Sequence, residues 1–97
     1  MFKIVITKSA REQLDILKKD KNLVKKYNLV KKAIMLLSSN PRHISLQTHE
    51  YTSCKGPNTE KIFEAYIEQN TPGAYRLFWF YGPDQSEITI VSIIPHP

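Results

Sequence analysis

Cysteine is nearly absent from this chain. Cys54 stands alone, so no internal disulfide can form and no thiolate cluster exists to hold a structural zinc ion. Its setting, Thr52-Ser53-Cys54-Lys55-Gly56, reads as a turn, which makes the thiol structural rather than nucleophilic. A long apolar run at the N-terminus is missing too. The opening Met1-Phe2-Lys3-Ile4-Val5-Ile6 has only three consecutive apolar residues before Thr7 and Lys8. That is far short of a signal-peptide core or a membrane span, and the expectation is a cytoplasmic protein with no membrane partner. No glycine-rich phosphate loop, serine-nucleophile motif or His-Glu-x-x-His run occurs, and His43, His49 and His96 are widely spaced. No metal and no other cofactor is therefore expected.

Acidic charge is scarce. Asp and Glu total 9 against 14 Lys and Arg, which leaves +5 and an isoelectric point near 9.4, a balance that suits a polyanionic or acidic partner. Seven of the lysines (18, 19, 21, 25, 26, 31 and 32) fall in one segment, so the excess has a direction. The same stretch equally fits the solvated face of an amphipathic helical pair, and charge alone does not choose between the two. With 97 residues, 41% hydrophobic and 24% charged, the chain has enough apolar surface for one core and no length for a second; a single domain over residues 1–97 is expected.

Along the chain, Phe2 to Thr7 is a short β-branched run. Ser9-Ala10-Arg11-Glu12 then has the spacing of a capping box. Ala10, Leu14 and Leu17 repeat at helical spacing, Asp20 to Asn22 interrupts, and Asn22 is placed to cap a second helix. Leu23, Tyr27, Val30, Ile34 and Leu37 form its apolar stripe, and Ser38-Ser39-Asn40-Pro41 supplies the stop. Strands are predicted over Ile44 to Tyr51, Ile62 to Glu68, Ala74 to Tyr81 and Glu87 to Ile94, with Thr52 to Thr59 as a polar loop. The short links demand antiparallel neighbours. The resulting class is α+β: an N-terminal strand and a helical hairpin packed on a twisted antiparallel sheet.

Strand parity then sorts the side chains. An even register across the Pro72-Gly73 turn places Glu64 and Tyr66 on the outer face with Arg76, while Tyr75, Leu77 and Trp79 join the core. In the last strand Ser92, Ile94 and His96 share one orientation, and Val91 and Ile93 the other. A loop of three or five residues at Gly82-Pro83 puts His96 on the face of Arg76; a loop of four puts it opposite. Phe78, Phe80, Ile88 and Ile90 would complete the outer face, which is apolar enough to imply a protein partner over it.

At this point the sequence resembles the RelE/ParE toxin superfamily of type II toxin–antitoxin systems. The resemblance rests on a strand, a helical hairpin ending near Asn40-Pro41, and an antiparallel sheet containing Tyr75-Arg76-Leu77-Phe78. Its most specific part is the run from Phe63 to Pro97, closing on His96. It implies a tight complex with a cognate antitoxin and, in the RelE branch, metal-independent cleavage of mRNA in the ribosomal A site. In the ParE branch it implies poisoning of DNA gyrase without nuclease activity. A degenerate, non-catalytic RNA- or protein-binding domain of the same fold is the third reading.

Cleaving RNA without a metal takes a base for the 2′-hydroxyl, an acid for the departing 5′-oxygen and cationic donors for the phosphate. Arg76 matches the superfamily's Tyr-Arg position, and its planar fork suits a phosphate; a strand arginine salt-bridged to Glu64 or Glu68 is the plainer account. The resemblance makes His96 the general acid, although a residue so near the terminus also fits a frayed end. Glu64 and Tyr66 stand where RelE-type enzymes place lysines. Glu64 is then either the base or the carboxylate that positions Arg76. His49, Glu50 and Tyr51 form a second polar cluster, readable as a further base or as an exposed edge strand. Where many members end in a stacking Tyr, this chain has Pro97, so stacking falls to Tyr66, Tyr75 or Phe78. Arg76, His96 and Glu64 are thus the catalytic candidates, and Tyr66, His49, Tyr51, Lys55 and Tyr75 the substrate-binding ones.

Overall fold

A computed structural model describes residues 1–68 and 73–95. The order of elements is β1 (Lys3–Ile6), α1 (Lys8–Lys19), α2 (Val24–Ser39), β2 (His49–Lys55), β3 (Lys61–Tyr66), β4 (Tyr75–Tyr81) and β5 (Glu87–Pro95), with short 3₁₀ turns at Lys21–Leu23 and Ile44–Leu46. The strands form one five-stranded sheet in the order β1-β5-β4-β3-β2. Only β1 and β5 run parallel; the other neighbours are antiparallel, as the short connections require.

One face of the sheet carries the helices. Ala10, Leu14 and Leu17 of α1 and Val30, Ala33 and Leu37 of α2 bury against Phe63, Ala65, Leu77, Trp79, Ile88, Ile90 and Ile93. The predicted stripes therefore fold as helix faces, with Leu23, Tyr27 and Ile34 half-buried at the margin. The caps differ from expectation. Thr7, not Ser9, accepts from the Ala10 amide at 3.2 Å, because the strand hands over to the helix without a loop. Asp20, not Asn22, takes the capping role, accepting from Asn22 N–H at 2.8 Å and opening a 3₁₀ turn from which α2 continues.

Ile44–Leu46 is a 3₁₀ turn rather than the start of a strand. The His43 side chain accepts from the Ser45 amide, and Gln47, in the left-handed region at φ 45°, closes the turn. The strand then begins at His49 and runs on through Thr52 to Lys55, which had read as loop.

Pairing of β3 with β4 sets Tyr66 opposite Arg76 and Glu64 opposite Phe78, the even register that unites Glu64, Tyr66 and Arg76 on the outer face. In β5 the alternation breaks. Phe78 pairs with Ser92 but Trp79 with Ile90, so Val91 is an extra residue in a β-bulge. N-terminal to it parity is reversed: Ile88 and Ile90 turn into the core instead of the outer face. Val91, Ile94 and Tyr51 pack with Ile62, Phe78 and Phe80 in a smaller outer cluster. The backbone groups around the bulge find partners on α1 and its N-cap. Thr7 Oγ1 donates to the Val91 carbonyl at 3.2 Å, and the Ile93 amide donates to Gln13 Oε1 at 2.7 Å, which satisfies groups that β1, ending at Ile6, does not reach.

Candidate functional site

Cross-strand pairing builds a cluster on the outer face from three strands. His49 lies directly opposite Glu64, so the two polar groups that read as separate clusters are one. His49 Nε2 is 2.9 Å from Glu64 Oε1, and Nδ1 is 3.1 Å from the Gln47 carbonyl oxygen. Both ring nitrogens thus face acceptors. The pair as built needs a hydrogen on each nitrogen, as in imidazolium, or a proton on the Glu64 carboxyl. Glu64 is 2% exposed, whereas the His49 side chain is 47% exposed, so the imidazole is the part of the pair that meets solvent.

On the other side of Glu64, Oε2 lies 3.8 Å from Arg76 Nε, an ion pair too long for a hydrogen bond. The Arg76 guanidinium lies 3.9 Å from the centroid of the Tyr66 ring, and Nη1 donates to the Glu68 and Tyr75 carbonyls at 2.8 and 3.1 Å. Nε is buried and has no hydrogen-bond partner among the described residues. Stacking and two carbonyl bonds fix the guanidinium, with its buried Nε turned toward the Glu64 carboxylate. The Tyr66 ring also meets His49 edge-on, 5.7 Å between centroids.

A second layer ties Arg76 to the helices. Lys26 of α2 donates to both oxygens of Glu68 at 3.0 and 2.8 Å, and Tyr75 N–H donates to Glu68 Oε2 at 3.2 Å. Burial works against the ionised carboxylate, yet Lys26, the Tyr75 amide and the nearby Lys25 outweigh it and hold Glu68 below its usual 4.5. Since the folded value is the lower one, ionised Glu68 contributes stability above its unfolded value and loses it as pH falls through the folded one. Lys26→Met should remove that contribution. Urea midpoints of wild type and variant, separated at neutral pH, should converge once Glu68 is protonated; a gap indifferent to pH would mean that Lys26 acts only by packing on the Tyr75 ring, 5.4 Å away.

The remaining candidates divide. Tyr51 sits beside the cluster, its ring edge-on to Phe78 at 4.9 Å. Tyr75 packs against the helix-side core and is not brought to the cluster. Lys55 ends β2, 3.6 Å from Glu50 Oε2, and is not brought there either. His96 lies outside the described residues. Among the described residues no three His, Cys, Asp or Glu side chains converge as a metal would need, and no helix is long and apolar enough to cross a membrane. Sequence parity pointed to Glu64, Tyr66 and Arg76 together; the contact of His49 with Glu64 depends on where β2 begins, which the 3₁₀ turn sets.

No family model and no curated protein matches the chain in sequence. Solved structures do match in shape. A YoeB/ParE toxin from Agrobacterium tumefaciens superposes with a TM-score of 0.75 at 9% identity, over 99% of this chain and 100% of that one. The YoeB dimer structure from Staphylococcus aureus gives 0.65 at 16% identity, over 99% and 98%. An archaeal RelE–RelB complex from Pyrococcus horikoshii gives 0.66 at 15% identity, over 97% and 93%. With two helices on a five-stranded sheet matched along nearly its whole length, the chain has the RelE/ParE-like toxin fold.

Proposed function

We propose that the protein is the toxin of a toxin–antitoxin pair and acts as a metal-independent endoribonuclease on mRNA at the ribosome. The observation that carries this reading is the line His49–Glu64–Arg76 across three strands, a proton-handling pair beside a fixed guanidinium. In the reaction the 2′-oxygen attacks the adjacent phosphorus and gives up its proton, and the 5′-oxygen leaves with a proton from an acid, forming a 2′,3′-cyclic phosphate and a 5′-hydroxyl. His49 accepts the first proton. To act as base, its solvent-exposed Nδ1 leaves the Gln47 carbonyl and gives its hydrogen to water, after which it accepts the substrate hydroxyl's proton. Nε2–H meanwhile donates to the part-buried Glu64, which holds the imidazolium that forms as a carboxylate does in a hydrolase triad. Arg76 meets the charge growing on the phosphate with the positive charge of its fixed guanidinium. His96 supplies the second proton, a role that follows from the superfamily resemblance. The cognate antitoxin is the protein partner, in keeping with the solved RelE–RelB complex.

The test is to express wild type, His49→Ala, Arg76→Ala and His96→Ala and map RNA ends on translating ribosomes. Wild type should cut mRNA in step with codons, and each variant should lower the rate about 100-fold or more. Growth arrest with intact mRNA and lost DNA supercoiling would replace this reading with gyrase poisoning. A wild type that neither cuts RNA nor arrests growth would make the domain non-catalytic.

A further inference from the structure

Between α2 and β2 the chain from Asn40 to Thr48 closes on itself. The His43 amide donates to the Asn40 carbonyl at 2.9 Å, the Leu46 amide to the His43 carbonyl at 3.0 Å, and the Gln47 amide to the Ile44 carbonyl at 3.2 Å. Two side chains complete the loop. His43 Nδ1 accepts from the Ser45 amide at 3.1 Å, and Thr48 Oγ1 donates to the Pro41 carbonyl at 2.7 Å, a part-buried bond that ties the start of β2 to the end of α2. Pro41 and Leu46 are buried, so the loop is docked as well as closed. Its last turn is strained: Gln47 has φ 45° and ψ 44°, a left-handed conformation uncommon for a residue with a side chain. That conformation lays the Gln47 carbonyl against His49 Nδ1 at 3.1 Å.

We infer that Thr48 is a positioning residue for the His49 base: by closing the loop it holds the Gln47 carbonyl on Nδ1, and that carbonyl keeps the resting ring as imidazolium. The inference rests on the ribonuclease reading and deepens it. A hydrogen bond to the charged form of a group favours that form, and His49 becomes a base only once Nδ1 has left the carbonyl and lost its hydrogen. Other groups around the ring act beside it. The Glu64 carboxylate favours imidazolium from β3 at 2.9 Å and is itself drawn toward Arg76 of β4 at 3.8 Å. Tyr66 meets the ring edge-on from β3, and Glu50, the next residue of β2, is engaged by Lys55 at 3.6 Å. Glu64 is buried and stays in place, whereas the Gln47 contact is exposed and depends on a closed loop. The loop is therefore the adjustable half of the pair of acceptors.

The test follows the His49 ring by heteronuclear NMR through a pH titration of the full chain, in wild type, Thr48→Val and Thr48→Ser. Valine keeps the β-branch and removes the donor; serine keeps the donor. The midpoint of the His49 titration should fall by about half a pH unit in Thr48→Val and stay at the wild-type position in Thr48→Ser. Cleavage of RNA should follow the ring. Below the midpoint, Thr48→Val should retain about threefold more of its own plateau rate than wild type does, an effect that a general loss of structure would not produce. If RNA is cut but the midpoint is the same in all three proteins, or serine moves it as far as valine, the positioning role falls and the ribonuclease reading stands. If the midpoint moves as expected and wild type cuts no RNA, the hold of the loop on His49 stands and the ribonuclease reading falls. An unmoved midpoint without cleavage overturns both.

Discussion

Replacing Glu64 by alanine should cost the protein about 3 kcal/mol of stability, a large part of the roughly 5–15 kcal/mol typical of a domain. Glu64 is 2% exposed and Arg76 7%. Removing the carboxylate leaves a guanidinium buried without its counter-charge and a histidine with one partner gone, which is the expensive way to break a buried pair. The two carbonyl bonds at Arg76 Nη1 survive, which places the loss at the lower end of the range of about 3–5 kcal/mol. Removing both charges is a different experiment. Glu64→Leu with Arg76→Met should recover most of the loss, because neither residue then demands solvation. Urea denaturation followed by circular dichroism measures both variants. If Glu64→Ala costs under about 1 kcal/mol, or the double variant loses the plain sum of the single effects, the pair is not a coupled unit.

Trp79→Ala should be as damaging or more so, by about 3–5 kcal/mol, and should lower the thermal midpoint by roughly 12 °C or more. Its indole is fully buried, stacked on Phe63 at 5.0 Å and met edge-on by Tyr81 at 4.9 Å. Little can collapse into the hole, since the sheet behind it and the helices in front are both packed. Trp79→Phe should behave otherwise. The indole Nε1–H has no hydrogen-bond partner among the described residues, so phenylalanine removes a buried donor that gains nothing in the fold, offsetting part of the lost volume. We expect Trp79→Phe to cost less than about 1.5 kcal/mol. Equal losses in the two variants would mean that the indole donor has a partner after all.

Much of this architecture is legible in the residue pattern, and the illegible parts share one physical cause. Ala10, Leu14 and Leu17, or Val30 and Leu37, declare a helix face because the spacing that buries them is local. Parity across β3 and β4 places Glu64, Tyr66 and Arg76 together for the same reason, once the turn register is even. The bulge at Val91 has no such local signature. It is stabilised by Thr7 and Gln13, on an element near the other end of the chain, and it alone decides that Ile88 and Ile90 face the core. His49 meets Glu64 because a left-handed Gln47 ends a 3₁₀ turn two residues earlier. In each case the deciding contact comes from a different element or from a turn that apolar periodicity does not encode.

From the bulge on, β5 has β4 on one side and, in place of another strand, the side chains of Thr7, which caps α1, and of Gln13 within α1 on the other. A strand held this way opens with the helix that steadies it rather than with the sheet as a whole. Ser92 and Ile94 ride on that segment. The fraction of time the floor beside Arg76 is in place is thus set by how firmly α1 stays docked, and a partner that gripped or lifted this helix would tune the site without touching it.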